Sequence, residues 1–391
     1  MNIVIIATSC YRKTGGVAHA TWQLAQEFVL HGHTVHIVTL MDSRDKYEVP
    51  PSEISIHRIY VKGFSIYEYK AEDIKTSSLK RLSLVPKALK YLFSVVRVVR
   101  DINPDIVHTN GVSDANAALL IKIISRIPYT ITVHNDPKNK NTNLMGIKFT
   151  SKISRKYWRY LPQIRYSNKV ISLTSVAKEA VSEIYGRESV IIPNGVNSNI
   201  FHPNFCARSN SDITLNLISV GLLNNAKDFN SLIKSMVPII QVIPHAHLTI
   251  IGGGPLYNEF ITLIETLGLK DYVTLSGYLP HHLIVEYLQK SHIYILSSVT
   301  EGFPLVLLEA MACGLPIVST PVSSAPEIVN EWNNGYIVPF KSPSDIASAV
   351  IKIVQNNEID FLSRRSLLAS KEFNWPSISE KYLEVFEDII L

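Results

Sequence analysis

Two glutamates eight positions apart, Glu301 and Glu309, bracket the stretch of this 391-residue chain whose residue types are best placed to do chemistry. It reads Glu301-Gly-Phe-Pro-Leu-Val-Leu-Leu-Glu309-Ala-Met-Ala-Cys-Gly314. Pro304 suits the first turn of a helix and Gly314 suits its end. Glu301 then falls in the loop ahead of the helix, and Glu309 about a turn and a half inside it. Among Leu307, Leu308, Ala310 and Met311 a carboxylate is buried only if something pairs with it, and ribose hydroxyls are natural partners. The N–H groups left open at the helix start, near Gly302 and Phe303, offer a site for a phosphate. The spacing predicts an acid, a phosphate cradle and a diol clamp side by side. The plainer alternative, a helix with two solvated glutamates, needs more polar positions than this run contains.

His134 is the second candidate. It ends an apolar run, Tyr129 to Val133, and precedes the turn-rich Asn135-Asp136-Pro137. His108 also stands at a strand end and is the weaker candidate; His245, His247, His281 and His282 read as ordinary histidines. No Asp-x-Asp sequence occurs, and no His, Asp or Glu cluster has the spacing of a metal site, so no metal and no cofactor is expected. The three cysteines, Cys10, Cys206 and Cys313, are far apart and suggest neither a disulfide framework nor a zinc site.

A scaffold that gathers loop ends is needed to bring such residues together. An apolar strand (Ile3 to Ala7) leads through a loop to Gly15-Gly16, and a helix follows with Val17, Ala20, Leu24 and Phe28 on one face. Gly32 stops it before a second strand, Thr34 to Leu40. This is a βαβ unit, and its near-continuous apolar strands fit a parallel sheet covered on both faces. The pattern recurs: strands at Asp105–His108, Tyr129–Val133, Lys169–Leu173 and Val190–Ile192, with a helix at Ala115–Ser125. A stretch of mixed polarity, Asn197 to Asp212, reads as an interdomain linker. A second series has strands at Leu215–Val220, His247–Ile251, Val273–Ser276, Ile293–Leu296 and Pro316–Ser319. Its helices are Phe229–Val242, Leu283–Gln289 and one from Phe303 to about Cys313. The expected fold is α/β, with two tandem parallel sheets whose strand ends face a cleft.

The composition fits a soluble two-domain protein: 46% hydrophobic and 18% charged residues, with net charge +5. No apolar run approaches the roughly 18 residues needed to span a bilayer, and the N-terminus reads as a strand rather than a signal peptide. A cytoplasmic protein is expected. Two stretches mix basic with apolar or aromatic side chains. Lys75 to Arg100 carries Lys80, Arg81, Lys87, Lys90, Arg97 and Arg100. Lys148 to Lys169 carries Lys152, Arg155, Lys156 and Arg159 beside Tyr157, Trp158 and Tyr160. Both suit peripheral contact with an anionic membrane, or are ordinary basic surface helices. No nucleic-acid-binding motif is present.

Taken in order, these segments are similar to those of retaining glycosyltransferases of the GT-B fold, and the chain resembles glycosyltransferase family 4 over nearly its whole length. Glu301 and Glu309 match that family's E-x7-E motif. The likeness also runs through Gly15-Gly16, Thr132-Val133-His134, Pro193-Asn194-Gly195-Val196, Gly221 to Lys227, Gly252 to Pro255 and Phe373-Asn374-Trp375. It implies two Rossmann-like domains, 1–198 on the acceptor side and 199–375 binding the nucleotide-sugar, with the final helix, 376–391, packing back on the first. It further implies that Glu301 and His134 act at the donor sugar and that Lys227 neutralises the donor diphosphate. Glu309 would hold the ribose, Gly277-Tyr278-Leu279 would contact the base, and Gly15 and Gly16 would let backbone approach the ligand. The implied reaction is transfer of a sugar with retention, from a UDP-sugar by family habit. A glycan or lipid-linked glycan of a surface polysaccharide would accept it on the inner face of the membrane. Leu222 departs from the pattern, since the family often has arginine there. That departure keeps open a catalytically weak subunit binding nucleotide or lipid, and a nucleotide-sugar epimerase shares the fold.

Overall fold

The computed structural model describes residues 1–7, 15–41, 53–62, 78–112, 114–134, 161–204 and 214–391. The chain divides into two compact units, Met1–Asn194 with Trp375–Leu391, and Gly195–Asn374.

The first unit runs β1 (Asn2–Ile6), α1 (Gly16–Leu30), β2 (Thr34–Met41), β3 (Ile54–Tyr60), α2 (Ser78–Ile102), β4 (Ile106–Thr109) and α3 (Ala115–Ser125). It continues with β5 (Tyr129–Val133), α4 (Pro162–Arg165), β6 (Lys169–Ser172), α5 (Ser175–Tyr185) and β7 (Ser189–Ile191). Its seven described strands form one parallel sheet in the order β3-β2-β1-β4-β5-β6-β7. Alternate side chains explain why the strands are apolar throughout. Ile3 and Ile5 pack with Leu24 and Phe28 of α1, whereas Val4 and Ile6 pack on the opposite face with Val95 and Val99 of α2.

The second unit runs β8 (Leu215–Val220), α6 (Phe229–Val242), β9 (Ala246–Ile251), α7 (Tyr257–Thr266), β10 (Val273–Leu275), α8 (His281–Lys290) and β11 (Ile293–Leu296). Then come α9 (Leu305–Ala312), β12 (Ile317–Ser319), α10 (Ala325–Trp332), β13 (Gly335–Ile337), α11 (Pro343–Gln355) and α12 (Ile359–Glu372). The sheet is again parallel, in the order β10-β9-β8-β11-β12-β13. Leu217, Ile295 and Val318 face α6 and α11, and Ile218, Tyr294 and Leu296 face α8 and α9. In each sheet the strand order reverses once, between β1 and β4 and between β8 and β11. Those are the points where loops diverge and open sheets bind ligands.

Two stretches depart from the sequence reading. Phe201, placed in a linker, is 2% exposed and packed in the second unit's core, and just ahead of that stretch Val196 N–H donates to Phe373 O at 2.6 Å. Residues 205–213 of that stretch lie outside the described ones. Pro304 precedes the helix as its N-cap instead of sitting in its first turn, while Gly314 does end it. With φ 73° at Gly314, Gly314 N–H donates to Met311 O at 2.8 Å and Leu315 N–H to Ala310 O at 3.0 Å. This is the doubly bonded helix end that a residue without Cβ makes easily.

The final helix, α13 (Trp375–Ile390), belongs to the first unit. Tyr382 and Phe386 pack edge-on against Phe28 of α1, with ring centroids 6.3 and 5.6 Å apart. Beneath them lies a buried polar chain. Val17 O takes the Thr21 hydroxyl (2.7 Å), so Thr21 Oγ1 accepts from Asn110 Nδ2 (2.6 Å). Asn110 Oδ1 is thereby turned to His108 Nε2 (3.0 Å), which must carry the proton. The bare Nδ1 of His108 accepts from Thr130 Oγ1 (2.8 Å), and Thr132 Oγ1 meets the Tyr382 hydroxyl at 3.0 Å. His108 is thus a structural member of the core.

Burial pushes His108 down to about 3, against an ordinary value near 6.5. The folded protein therefore binds fewer protons than the unfolded chain below pH 6.5. The stability this neutral imidazole contributes is full above that pH and is lost as pH falls toward 3. Unfolding by urea at pH 7 and pH 5 is expected to show a loss of about 2 kcal/mol from this group. A His108→Gln variant should lack that part of the pH dependence; an unchanged dependence would remove the assignment.

Candidate active site

The chemistry-bearing residues of the second unit collect at the carboxyl ends of β8, β9, β10 and β11. Two glycine turns make this possible. A Cβ at Gly252 would lie 1.8 Å from Gly221 O, and one at Gly254 would lie 2.5 Å from Leu223 O. The turns after β8 and β9 therefore touch backbone to backbone, held by Gly221 N–H to Ile251 O and Leu223 N–H to Gly253 O, both 2.9 Å. Gly221 has a further task. A Cβ there would sit 2.8 Å from Lys227 Cε, so the lysine stem lies close over Gly221 and would have to shift to admit a side chain.

Lys227 is pinned from the other side of the switch point. Its carbonyl accepts from Ser297 Oγ at 2.8 Å, and Ala226 O accepts from Val299 N–H at 2.8 Å. Its ammonium lies 2.5 Å from Glu301 Oε1, which also accepts from Ser298 Oγ at 2.7 Å. Both side chains are largely covered, 20% exposed for Lys227 and 14% for Glu301. Glu301 Oε2 takes no hydrogen bond among the described residues. Lys227 and Glu301 thus form one ion pair across the β8 and β11 loops.

Directly after Glu301, the Gly302 carbonyl accepts from Ser323 Oγ at 2.6 Å, which fixes the approach to α9. Phe303 packs half-buried on the core, and no side chain caps the helix. Its first-turn N–H groups stand at the same end of the sheet as the ion pair. Glu309, the fifth residue of α9, is 4% exposed. The sequence reading gave it ribose hydroxyls as partners; within the protein its Oε1 meets His281 Nε2 at 2.8 Å. Its Oε2 is buried with no hydrogen-bond partner among the described residues. Burial works against a charge on His281, but the hydrogen bond and the charge of Glu309 outweigh it and raise the imidazole above its ordinary range.

His281 was read as an ordinary histidine. The available signal was its place directly after the Gly277-Tyr278-Leu279-Pro280 loop, at the start of α8. That loop is at the site: Gly277 has φ 69° and its carbonyl accepts from Gly252 N–H at 2.9 Å. Leu279 packs on the core, and Tyr278 is 68% exposed. Leu222 is also exposed, so an apolar side chain stands where the family pattern often has a cation.

In the first unit, Gly15 (φ 140°) is the N-cap of α1 and Gly16 its first residue, after the β1 loop. Residues 8–14 of the loop after β1 lie outside the described residues, as do Asn135 to Pro137. His134 follows β5 and is half-buried, with its Nε2 buried and without a hydrogen-bond partner among the described residues. Burial holds it down to about 4, so it is a neutral imidazole near neutral pH.

Two doubly wound parallel sheets in sequence, each with its candidate site residues at the strand carboxyl ends, are the GT-B architecture of glycosyltransferases. Residues 14–199 match the family described as Glycosyltransferase Family 4, and residues 210–366 match Glycosyl transferases group 1. The N-acetyl-alpha-D-glucosaminyl L-malate synthase of Bacillus anthracis is 22% identical, covering 98% of this chain and 97% of the relative. The alpha-monoglucosyldiacylglycerol synthase of Acholeplasma laidlawii is 23% identical, covering 100% and 97%. Anabaena HepE, solved in complex with UDP, superposes with a TM-score of 0.79 at 17% identity, covering 99% of this chain and all of that one. The chain belongs to glycosyltransferase family 4 and is a glycosyltransferase.

No helix among the described residues is long and apolar enough to cross a membrane.

Proposed function

We propose that this enzyme transfers a sugar with retention from a UDP-sugar to a hydroxyl of a glycan or lipid-linked glycan acceptor, in the assembly of a surface polysaccharide. The observation that carries the reading is the Lys227–Glu301 ion pair at the β8/β11 switch point, directly ahead of the uncapped start of α9. The donor diphosphate takes the Lys227 ammonium and the first-turn N–H groups near Gly302 and Phe303, so negative charge on the leaving group is met by fixed donors. Glu301, released from Lys227, lies against the sugar and stabilises the positive charge that develops there. Glu309 binds the ribose, and Gly277, Tyr278 and Leu279 border the base. Gly15, Gly16 and His134 act at the sugar and acceptor. Lys227 supplies the cation that a metal provides elsewhere, so chelator treatment is expected to leave activity unchanged.

Support for UDP is the complex in which HepE was solved, and support for a lipid-linked acceptor is the name of the Acholeplasma relative. The test begins with melting of the protein in UDP, GDP, ADP and CMP. UDP at a hundred times its Kd adds about 2.7 kcal/mol of stability. A shift with another nucleotide alone would overturn the UDP assignment. A transfer product whose anomeric configuration is opposite to the donor's would overturn retention.

The acceptor reading includes a membrane surface. On α2, Val85, Leu89 and Phe93 are 54%, 46% and 61% exposed at i, i+4 and i+8, beside exposed Lys90, Arg97 and Arg100. An apolar stripe flanked by cations settles on anionic headgroups. The second basic stretch lies outside the described residues as far as Tyr160. Cosedimentation is expected with phosphatidylglycerol vesicles and not with phosphatidylcholine. Phe93→Glu should weaken it roughly tenfold or more. Equal pelleting of the variant would place the contact elsewhere.

A further inference from the structure

We infer that His281 is a positioning residue for the nucleoside, holding one oxygen of Glu309 so that the other is kept for a ribose hydroxyl. The inference rests on the ribose reading of Glu309 given above. It starts from an unbalanced carboxylate: Glu309 is 4% exposed, Oε1 has His281 Nε2 at 2.8 Å, and Oε2 is buried with no donor among the described residues. A buried acceptor with no partner is costly to keep and marks a place where a ligand donor completes the set. A ribose diol brings two hydroxyl donors. A carboxylate free to turn about its last bond would present them with a range of orientations. With Oε1 tied to an imidazole on a neighbouring element, that rotation is removed before the ligand arrives.

The placement of His281 makes the tie specific. It is the first residue of α8, four positions after Gly277, whose left-handed φ of 69° turns the loop that borders the base. Phe201 braces the imidazole edge-on, with ring centroids 5.3 Å apart, and is itself 2% exposed in the core. The loop proposed to meet the base and the carboxylate proposed to meet the ribose are therefore linked through one side chain. A nucleotide that moves the loop also moves the ligand of Glu309. The ribose and base subsites are built as a unit.

The experiment compares UDP with 2′,3′-dideoxy-UDP by calorimetry, for the wild type, His281→Ala, His281→Gln and Glu309→Ala. The wild type is expected to prefer UDP by tenfold to a hundredfold, the range of a hydrogen bond to a charged group. His281→Ala should bind the dideoxy compound like the wild type and UDP on the order of tenfold more weakly, so the preference collapses. His281→Gln, which keeps an N–H donor, should recover part of it. A general loosening of the site would weaken both ligands alike, and that result would overturn the positioning role. So would His281→Ala with the wild-type preference intact. If the wild type shows no preference, or Glu309→Ala binds UDP unchanged, the ribose reading itself falls. Should His281→Ala not fold, the comparison of His281→Gln with the wild type decides, since unequal donor geometry should still lower the UDP preference.

Discussion

Lys227→Ala is expected to lower kcat/KM for the donor roughly 30- to 150-fold, about 2–3 kcal/mol of lost charge-assisted contact. The lysine is placed by elements on both sides of the sheet's switch point. Its stem lies close over Gly221, and its carbonyl is held by Ser297. In the free protein its charge is already spent on Glu301. The diphosphate must win the ammonium from that carboxylate, so the measured loss reports the difference between two ion pairs, not one whole contact. Lys227→Arg should fall between wild type and Ala: charge is kept, but a planar guanidinium fits poorly over the Gly221 backbone. Removal of the lysine leaves Glu301, 14% exposed, with Ser298 as its one donor among the described residues, so melting temperatures belong beside the rates. An Ala variant of wild-type stability and wild-type kcat/KM would take Lys227 out of the donor site.

All the described strands but β3 and β13, and the Glu301–Glu309 segment, were legible because each is a local signal. Leu215–Val220, Phe229–Val242 and Ile293–Leu296 lie where periodicity and turn residues put them, since strands covered on both faces read as unbroken apolar runs. The edge strand β13 was not found: three residues carry no period, and its first residue, Gly335, is required because a Cβ would lie 1.8 Å from Ile317 O. The partners of the charged groups were hidden for a different reason. Glu309 and His281 are 28 positions apart, and Thr132 and Tyr382 are 250 apart. Such pairs are set by how loops and helices meet in three dimensions, which residue type and spacing do not encode. The same holds for Lys227 and Glu301: each was picked out alone, and their mutual neutralisation was not. That pairing changes the expected chemistry, because neither group starts free.

Glu301→Gln separates the two roles. If Glu301 stabilises the charge that develops at the sugar, its neutral isostere should lower kcat by about 10²- to 10³-fold, the usual effect of losing a preorganised electrostatic contact. UDP affinity should move the other way or not at all. The glutamine still accepts from Ser298 Oγ but no longer neutralises Lys227, so the ammonium meets the diphosphate with less competition. A large fall in kcat with unchanged or tighter UDP binding by calorimetry is therefore the expected signature. If UDP binding instead weakens as much as in Lys227→Ala, Glu301 serves only to place the lysine, and the sugar-side role is lost. The double variant decides how far the pair works as one device. Because each single change already disrupts the same ion pair, the combined loss in kcat/KM should fall short of the product of the two single losses. Full multiplication would mean that Lys227 and Glu301 act independently on the donor, and that the contact at 2.5 Å has no part in catalysis.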